Sequence, residues 1–243
     1  MTAPEKILIV LHQEHSTPGR VGQRLAARGY ELDIRRPRFG DALPGTMADH
    51  AGAVIFGGPM SANDDDDFIR REIDWIGVPL KEEAPFLGLC LGGQMLVKHL
   101  GGRVDRHPEG HVEIGYYDLH PTDEGRQLMD WPATVYQWHS EGMDAPCGST
   151  ALARSETFET QAIGSGPAAF GFQFHPEVTL AMMYRWTTRG ARKLASPNAR
   201  ERGEHFRGRF VHDGAFSAWL DRFLDMWLAS ERANAARALQ AAE

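Results

Sequence analysis

The sequence predicts an α/β fold, a mostly parallel sheet flanked by helices, with an antiparallel region added after residue 102. Short apolar runs of strand length alternate with amphipathic stretches of helix length through the first hundred residues. The runs are apolar at successive positions, as strands buried on both faces are. After Gly102 the pattern changes to short strands separated by turn residues.

Lys6 to His12 is the first run, residues 16–28 read as a helix, and Tyr30 to Arg35 reads as a second strand. Ala51 to Phe56 is the next buried strand, stopped by Gly57-Gly58-Pro59. Residues 68–76 carry Ile69, Ile73 and Ile76 on one helical face. Pro85 to Leu89 is again a strand, and Leu91 to Leu100 a helix ended by Gly101-Gly102. Parallel neighbours in such a chain are joined by right-handed crossovers. Beyond residue 102 the short strands are Val112 to Leu119, Ala133 to Gln137, Ala151 to Arg154, Gln161 to Ile163 and Ala169 to Phe174, expected as antiparallel structure beside the sheet. Helices return after Pro176. Residues 213–228 space Phe216, Trp219, Leu220, Phe223, Leu224, Trp227 and Leu228 by threes and fours, an aromatic stripe that reads as core packing. An alanine-rich helical tail, expected to fray, covers about 229–243. With no repeat or low-complexity linker, residues 1–243 are expected to form a single domain.

Composition narrows the function. At 243 residues, 42% hydrophobic and 24% charged, the chain is ordinary for a globular protein. A chain this long buries roughly 70% or more of its extended surface without staples. A net charge of -7 disfavours a nucleic-acid partner, which a basic surface would attract. Two cysteines, Cys90 and Cys147, exclude a disulfide framework or a multi-cysteine metal site. Ile7 to Leu11 is too short an apolar run for a secretory segment or a membrane span. The expectation is a cytoplasmic protein with no membrane contact, no cofactor and no metal.

The segment that carries chemistry is Pro85-Phe-Leu-Gly-Leu-Cys90-Leu-Gly-Gly-Gln94. A buried strand runs into Gly88-x-Cys90-x-Gly92 and straight on into a helix. Small residues on either side of Cys90 relieve crowding in a sharp turn that lifts Sγ out at the carboxyl end of the sheet. The helix N-terminus beside it favours thiolate over thiol. A lone cysteine is more commonly inert and buried; the turn is what separates Cys90 from that case. A thiolate nucleophile wants a base and an orienter. An apolar run delivers His175 to a strand end, Pro176 stops the ladder, and Glu177 lies within reach of Nδ1, the arrangement of a Cys–His–acid triad. His139 competes as the base, but Glu141, two residues on, reads as a contact for solvent or substrate and not as an orienter. Gly58 N–H, in the glycine turn after Phe56, and Leu91 N–H, just after Cys90, are the expected donors to an oxyanion.

Together, Gly57-Gly58-Pro59, the Cys90 segment, Trp138-His139-Ser140 and Phe174-His175-Pro176-Glu177 resemble the class I (triad-type) glutamine amidotransferase family, in family order and from residue 6 to about 190. The pattern is most similar to free-standing relatives of the amidotransferase domain of GMP synthetase. The resemblance implies a flavodoxin-like sheet and hydrolysis of the glutamine side-chain amide. Cys90 would form a γ-glutamyl thioester, His175 would move the protons and Glu177 would orient His175. Gly57 would flank the substrate, Gln94 would hold its amino-acid end, and Ser140 and Glu141 would contact its α-amino and carboxylate groups. Glu113-Ile114-Gly115 would give structural support. The sequence carries neither a Gly-x4-Gly-Lys-Ser/Thr nor a Ser-Gly-Gly-x-Asp-Ser nucleotide loop, so the synthetase partner is expected to be either a separate subunit or absent. Two alternatives stand beside this: a γ-glutamyl peptidase or hydrolase acting on peptides or conjugates, and a catalytically silent γ-glutamyl-binding module. The intact Cys90, His175 and Glu177 set argues against the last.

Other features carry less. The run Asp64 to Asp67 could suggest a metal, but adjacent residues cannot all converge on one ion without a shaped loop; it reads as acids at a helix N-terminus, with a modest role in selecting an amine-bearing substrate as the alternative. His12 and His15 read as loop residues and Cys147 as structural. The Arg-rich stretch from Arg185 to Arg209 reads as solvated surface or as a docking face for an acidic partner.

Overall fold

The computed structural model describes residues 5–241, with side chains described as far as Ala229. The first half alternates as its pattern requires: β1 (Lys6–Val10), α1 (Gly19–Ala27), β2 (Glu31–Arg35), β3 (His50–Ile55), α2 (Asp67–Trp75), α3 (Gly77–Lys81), β4 (Phe86–Leu89) and α4 (Leu91–His99). A 3₁₀ turn at Pro37–Phe39 follows β2. The second half adds β5 (Val104–Arg106), β6 (Glu113–Asp118), β7 (His120–Pro121), α5 (Asp123–Leu128), β8 (Thr134–His139), β9 (Glu141–Met143), β10 (Thr150–Arg154), β11 (Ala162–Ser165) and β12 (Ala169–Phe172). α6 (Leu180–Arg189), a 3₁₀ turn at Ala191–Ala195 and α7 (Arg202–Ala241) follow.

Eight strands form one sheet in the order β2-β1-β3-β4-β12-β11-β10-β7. The first five are parallel, and β11, β10 and β7 extend the sheet antiparallel. Two separate antiparallel ribbons, β5 with β9 and β6 with β8, stand apart from it. The run Ala169 to Phe174 was expected as part of the antiparallel region. It supplies instead the fifth parallel strand, with Phe172 opposite Leu89. Its four strand residues are all buried between β4 and β11, and it carries the chain directly to His175.

Successive residues of β1 serve opposite faces, as the pleat dictates. Ile7, Ile9 and Leu11 join the core under α1 and α7, while Leu8 and Val10 join the core under α2 and α4. The aromatic stripe of α7 is core, as its spacing predicts. Phe216, Trp219, Phe223 and Trp227 are fully buried, and Trp219 and Phe223 pack on Phe172. α7 begins at Arg202, eleven residues before the apolar spacing shows it, because its first turns expose residues such as Phe210 and Val211. The helix bounds reach Ala241; the side chains of the alanine-rich tail beyond Ala229 lie outside the described residues. Among the described residues, no helix is long and apolar enough to cross a membrane.

Candidate active site

The carboxyl ends of β1, β3, β4 and β12 open into one cleft, the position where open α/β sheets bind ligands. Cys90 sits between β4 and α4 with φ 49° and ψ -104°, a backbone conformation costly for any residue with a Cβ. The two flanking glycines make that turn possible. A Cβ on Gly88 would lie 2.3 Å from the Gly92 carbonyl oxygen, and one on Gly92 would lie 2.1 Å from that of Ile55. The Cys90 N–H donates to the Phe172 carbonyl at 2.7 Å, so the neighbouring strand pins the turn. α4 starts at Leu91, and the first amides of a helix have no acceptor within it. Leu91 N–H is therefore available beside Sγ.

β12 delivers His175 to the same end of the sheet. Its backbone N–H donates to the Tyr136 carbonyl, and Nδ1 meets Glu177 Oε1 at 2.7 Å. Both side chains are buried. Burial works against charge on the imidazole, but the Glu177 carboxylate and the neighbouring Cys90 sulfur outweigh it and push His175 up to about 10. An imidazolium at neutral pH is the partner a thiolate needs. The Trp186 ring stands edge-on to His175 with centroids 4.8 Å apart. Arg20 holds the loop after His175 from behind: its N–H donates to the Glu177 carbonyl, and its guanidinium donates to the Val178 carbonyl and to Asp213.

A chain of amides ties Cys90 to the loop at 140–141. Gln173 Nε2 lies 3.7 Å from Cys90 Sγ, and Gln94 Nε2 donates to Gln173 Oε1 at 3.1 Å and to the Glu141 carbonyl at 2.8 Å. With both hydrogens of its amide nitrogen used, Gln94 has only its carbonyl oxygen to offer a ligand. His139 lines the cleft, but Nδ1 faces the Glu141 carbonyl and Nε2 faces Glu113 Oε2, so neither nitrogen is free to act as a base toward Cys90. Glu113 also accepts from Ser155 and Gln161, a buried network that supports the loop. Gly57 packs against the site: a Cβ there would meet His175 Cε1 at 3.1 Å and Cys90 Cβ at 3.4 Å.

Cys90, Leu91, Gln94, Gly57, Gly58, Ser140, Glu141, His175 and Glu177 therefore line a single cavity of about 710 Å³. Several expectations change. His12, read as a loop residue, is fully buried and bonds Glu72 at 2.7 Å; its carboxylate partner lies sixty residues on in α2, beyond any local pattern. Asp64 to Asp67 are exposed and line none of the cavity; they lead into α2, where Asp64 accepts from the Ser61 N–H and Asp67 accepts from Arg70. Arg185, Arg189 and Lys193 do line the cavity, together with Arg38 and Arg106. The Arg-rich stretch already stood out in the sequence as surface or a docking face, but that its first members join Arg38 and Arg106 at this cavity was not legible, since those come from distant segments. Gln173 and Trp186 were also missed, as neither stands in a chemical pattern. Cys147 is exposed. Away from the cavity, His107, Glu109 and His111 bring ligand atoms within 4.8 Å of one another; none of them lines the cleft.

Comparison with known proteins agrees with this geometry. Residues 13–185 match the family described as Glutamine amidotransferase class-I. The glutamine amidotransferase-like protein YfeJ of Salmonella typhimurium is 29% identical over 185 residues, 72% of this chain and 77% of that protein. A glutamine-hydrolyzing GMP synthase component from Sulfurisphaera tokodaii, one subunit of that enzyme, is 32% identical over 136 residues, 54% of this chain and 70% of that one. The GMP synthase of Synechocystis is 38% identical over 132 residues, 52% of this chain but only 23% of its own length. Among solved structures, a glutamine amidotransferase of Methylobacillus flagellatus superposes with a TM-score of 0.86 at 27% identity, covering 94% of this chain and 96% of that one. Another, from Thermotoga maritima, does so at 0.82 and 28%, covering 92% and 97%. With a flavodoxin-like parallel sheet, a cysteine turn at its carboxyl edge and a family match over most of its length, the chain belongs to the class I glutamine amidotransferases.

Proposed function

We propose that the protein hydrolyses the side-chain amide of glutamine through a γ-glutamyl thioester on Cys90 and releases ammonia for a separate synthetase subunit. The observation that carries this reading is the strained Cys90 turn beside the buried His175–Glu177 pair, in a cleft large enough for an amino-acid substrate. The Cys90 thiolate attacks the amide carbon, and the oxyanion that forms takes hydrogen bonds from Gly58 N–H and Leu91 N–H. His175 Nε2 gives its proton to the departing nitrogen, so ammonia leaves and the thioester remains. The same nitrogen then takes a proton from water, whose oxygen attacks the thioester and frees glutamate and the thiolate. Glu177 holds the imidazole tautomer throughout. Gln94 Oε1, Ser140 and Glu141, which line the cleft, take the substrate's α-amino and carboxylate groups in this reading. The chemistry needs no cofactor and a reduced thiol, which suits a cytoplasmic location.

One observation favours a second substrate class. The cleft extends well beyond Cys90 and is rimmed by Arg38, Arg106, Arg185, Arg189 and Lys193, facing only Glu14 and Glu141 as exposed or half-buried acids. That rim fits a γ-glutamyl peptide or conjugate whose leaving amine carries negative charge. Incubation with a glutamine-derived electrophile such as a diazoketone tests the common step. A stoichiometric adduct on Cys90, absent in Cys90→Ala, is expected; no adduct leaves only a silent γ-glutamyl-binding module. Steady-state rates on glutamine and on γ-glutamylglutamate then separate the two substrates. Arg185→Glu with Arg189→Glu lowers kcat/KM for the second substrate only if the rim serves it.

A further inference from the structure

At the end of β1, a buried pair that takes no direct part in the chemistry sits under the glycine turn. His12 and Glu72 are both fully buried, with Nε2 and Oε2 2.7 Å apart. His12 Nδ1 faces the Gly57 carbonyl oxygen at 3.2 Å. That oxygen is an acceptor only, so Nδ1 must carry a hydrogen; a bare Nδ1 would set two lone pairs against each other. Whichever side of the His12–Glu72 contact holds the shared proton, Nδ1 keeps its hydrogen for Gly57. The other carboxylate oxygen, Oε1, has no hydrogen-bond partner among the described residues, so the ring is what holds this buried acid.

The Gly57 carbonyl and the Gly58 N–H belong to one peptide unit. No peptide bond among the described residues is cis, and across a planar trans unit the two groups point in opposite directions. Anchoring the carbonyl on His12 therefore turns the Gly58 N–H away from β1. Cys90 lies beside the same unit: a Cβ on Gly57 would come 3.4 Å from Cys90 Cβ, and one on Gly58 would come 3.1 Å from both His12 Cβ and Leu91 Cδ2. Both glycines leave the turn free to rotate unless something outside it sets the plane. A hydrogen bond to a peptide carbonyl also polarises its N–H, and more strongly in a buried network.

We infer that His12 and Glu72 are positioning residues for the oxyanion site: the pair fixes the Gly57–Gly58 peptide so that Gly58 N–H faces the oxygen that becomes negative when Cys90 attacks. The inference rests on the thioester reading above. Because the oxyanion exists only along the reaction path, losing this orientation slows turnover and leaves ground-state binding nearly intact.

The test is steady-state glutamine hydrolysis, or hydrolysis of whichever γ-glutamyl amide the enzyme turns over, by wild type and by Cys90→Ala, His12→Ala, His12→Asn and Glu72→Gln. His12→Ala and His12→Asn both leave Glu72 without its ring partner, so their stability losses are similar. Only asparagine keeps a donor near the place of Nδ1. In His12→Ala, kcat falls roughly 10- to 100-fold with KM within about threefold, a large part of the effect of deleting one oxyanion donor. His12→Asn recovers a substantial part of that loss. Glu72→Gln, which keeps the shape and lets the Nδ1 hydrogen stay, loses less than His12→Ala. Equal kcat in His12→Ala and wild type overturns the inference. So does an equal fall in His12→Ala and His12→Asn, which would mark a structural role only. If either His12 variant fails to fold, Glu72→Gln losing as much through KM as through kcat overturns it too. Failure of the underlying reading looks different: turnover that survives in Cys90→Ala, or is absent from wild type, removes the thioester chemistry and the positioning role with it.

Discussion

Replacing Glu177 by Gln changes the charge behind His175 and almost nothing of the shape. In the wild type the carboxylate meets Nδ1 at 2.7 Å, and it is the strongest of the influences raising the imidazole from 6.5 to about 10 against burial. That gap is what remains of the pull of Glu177 and Cys90 after burial has opposed it, a net effect on the order of 5 kcal/mol. In Glu177→Gln, burial is opposed by Cys90 alone, and the imidazole's affinity for the proton falls. The expected wild-type profile of kcat/KM has an alkaline limb near pH 10. In the variant the limb moves down toward neutrality, and kcat/KM at pH 8 falls roughly 10²–10⁴-fold, as in triads whose acid becomes an amide. Alkylation of Cys90 by iodoacetamide across pH, read by peptide mass spectrometry with exposed Cys147 as internal reference, follows the same shift without needing turnover. The folded-state value lies above 6.5, so protonated His175 stabilises the fold fully below about pH 6.5. This contribution is lost as pH rises through 10. The stability difference between wild type and variant should therefore be widest in acid and close in alkali. An alkaline limb unmoved by the substitution refutes the assignment of Glu177 as the group that charges His175.

Three further outcomes follow from the packing. Gly92→Ala places a Cβ 2.1 Å from the Ile55 carbonyl, backbone against backbone, so a loss of at least about 3 kcal/mol in chemical denaturation is expected along with loss of Cys90 labelling. Arg20→Ala leaves Asp213 paired with Arg209 alone and frees the Val178 carbonyl; a loss of about 1–3 kcal/mol in stability and a fall in kcat should go together. Cys147→Ser, at an exposed turn, should leave both turnover and melting temperature unchanged; a fall in either would give that thiol a role the geometry does not.

Much of this protein was written locally. The apolar runs around Lys6–Val10, His50–Ile55 and Phe86–Leu89 are continuous and of strand length, the α7 aromatic stripe recurs by threes and fours, and each formed the element its pattern dictates. The Gly88-x-Cys90-x-Gly92 spacing and the His175–Glu177 step are likewise contacts between near neighbours, so their geometry was legible in order along the chain. What lay beyond it depends on residues far apart in sequence. β12 looks like one more short strand after residue 102, and only its burial between β4 and β11 makes it the parallel strand that brings His175 to Cys90. His12 looked like a loop residue because the carboxylate that buries it comes from α2, and the cationic rim exists only where four segments converge. The sequence by itself determined the main strands and helices, the sharp turn at Cys90 and the family, because spacing along a strand or helix is a property of neighbours. The tertiary structure alone decided which groups face one another across the cleft, because a hydrogen bond or a rim of charge depends on distance in space and leaves no period in the chain.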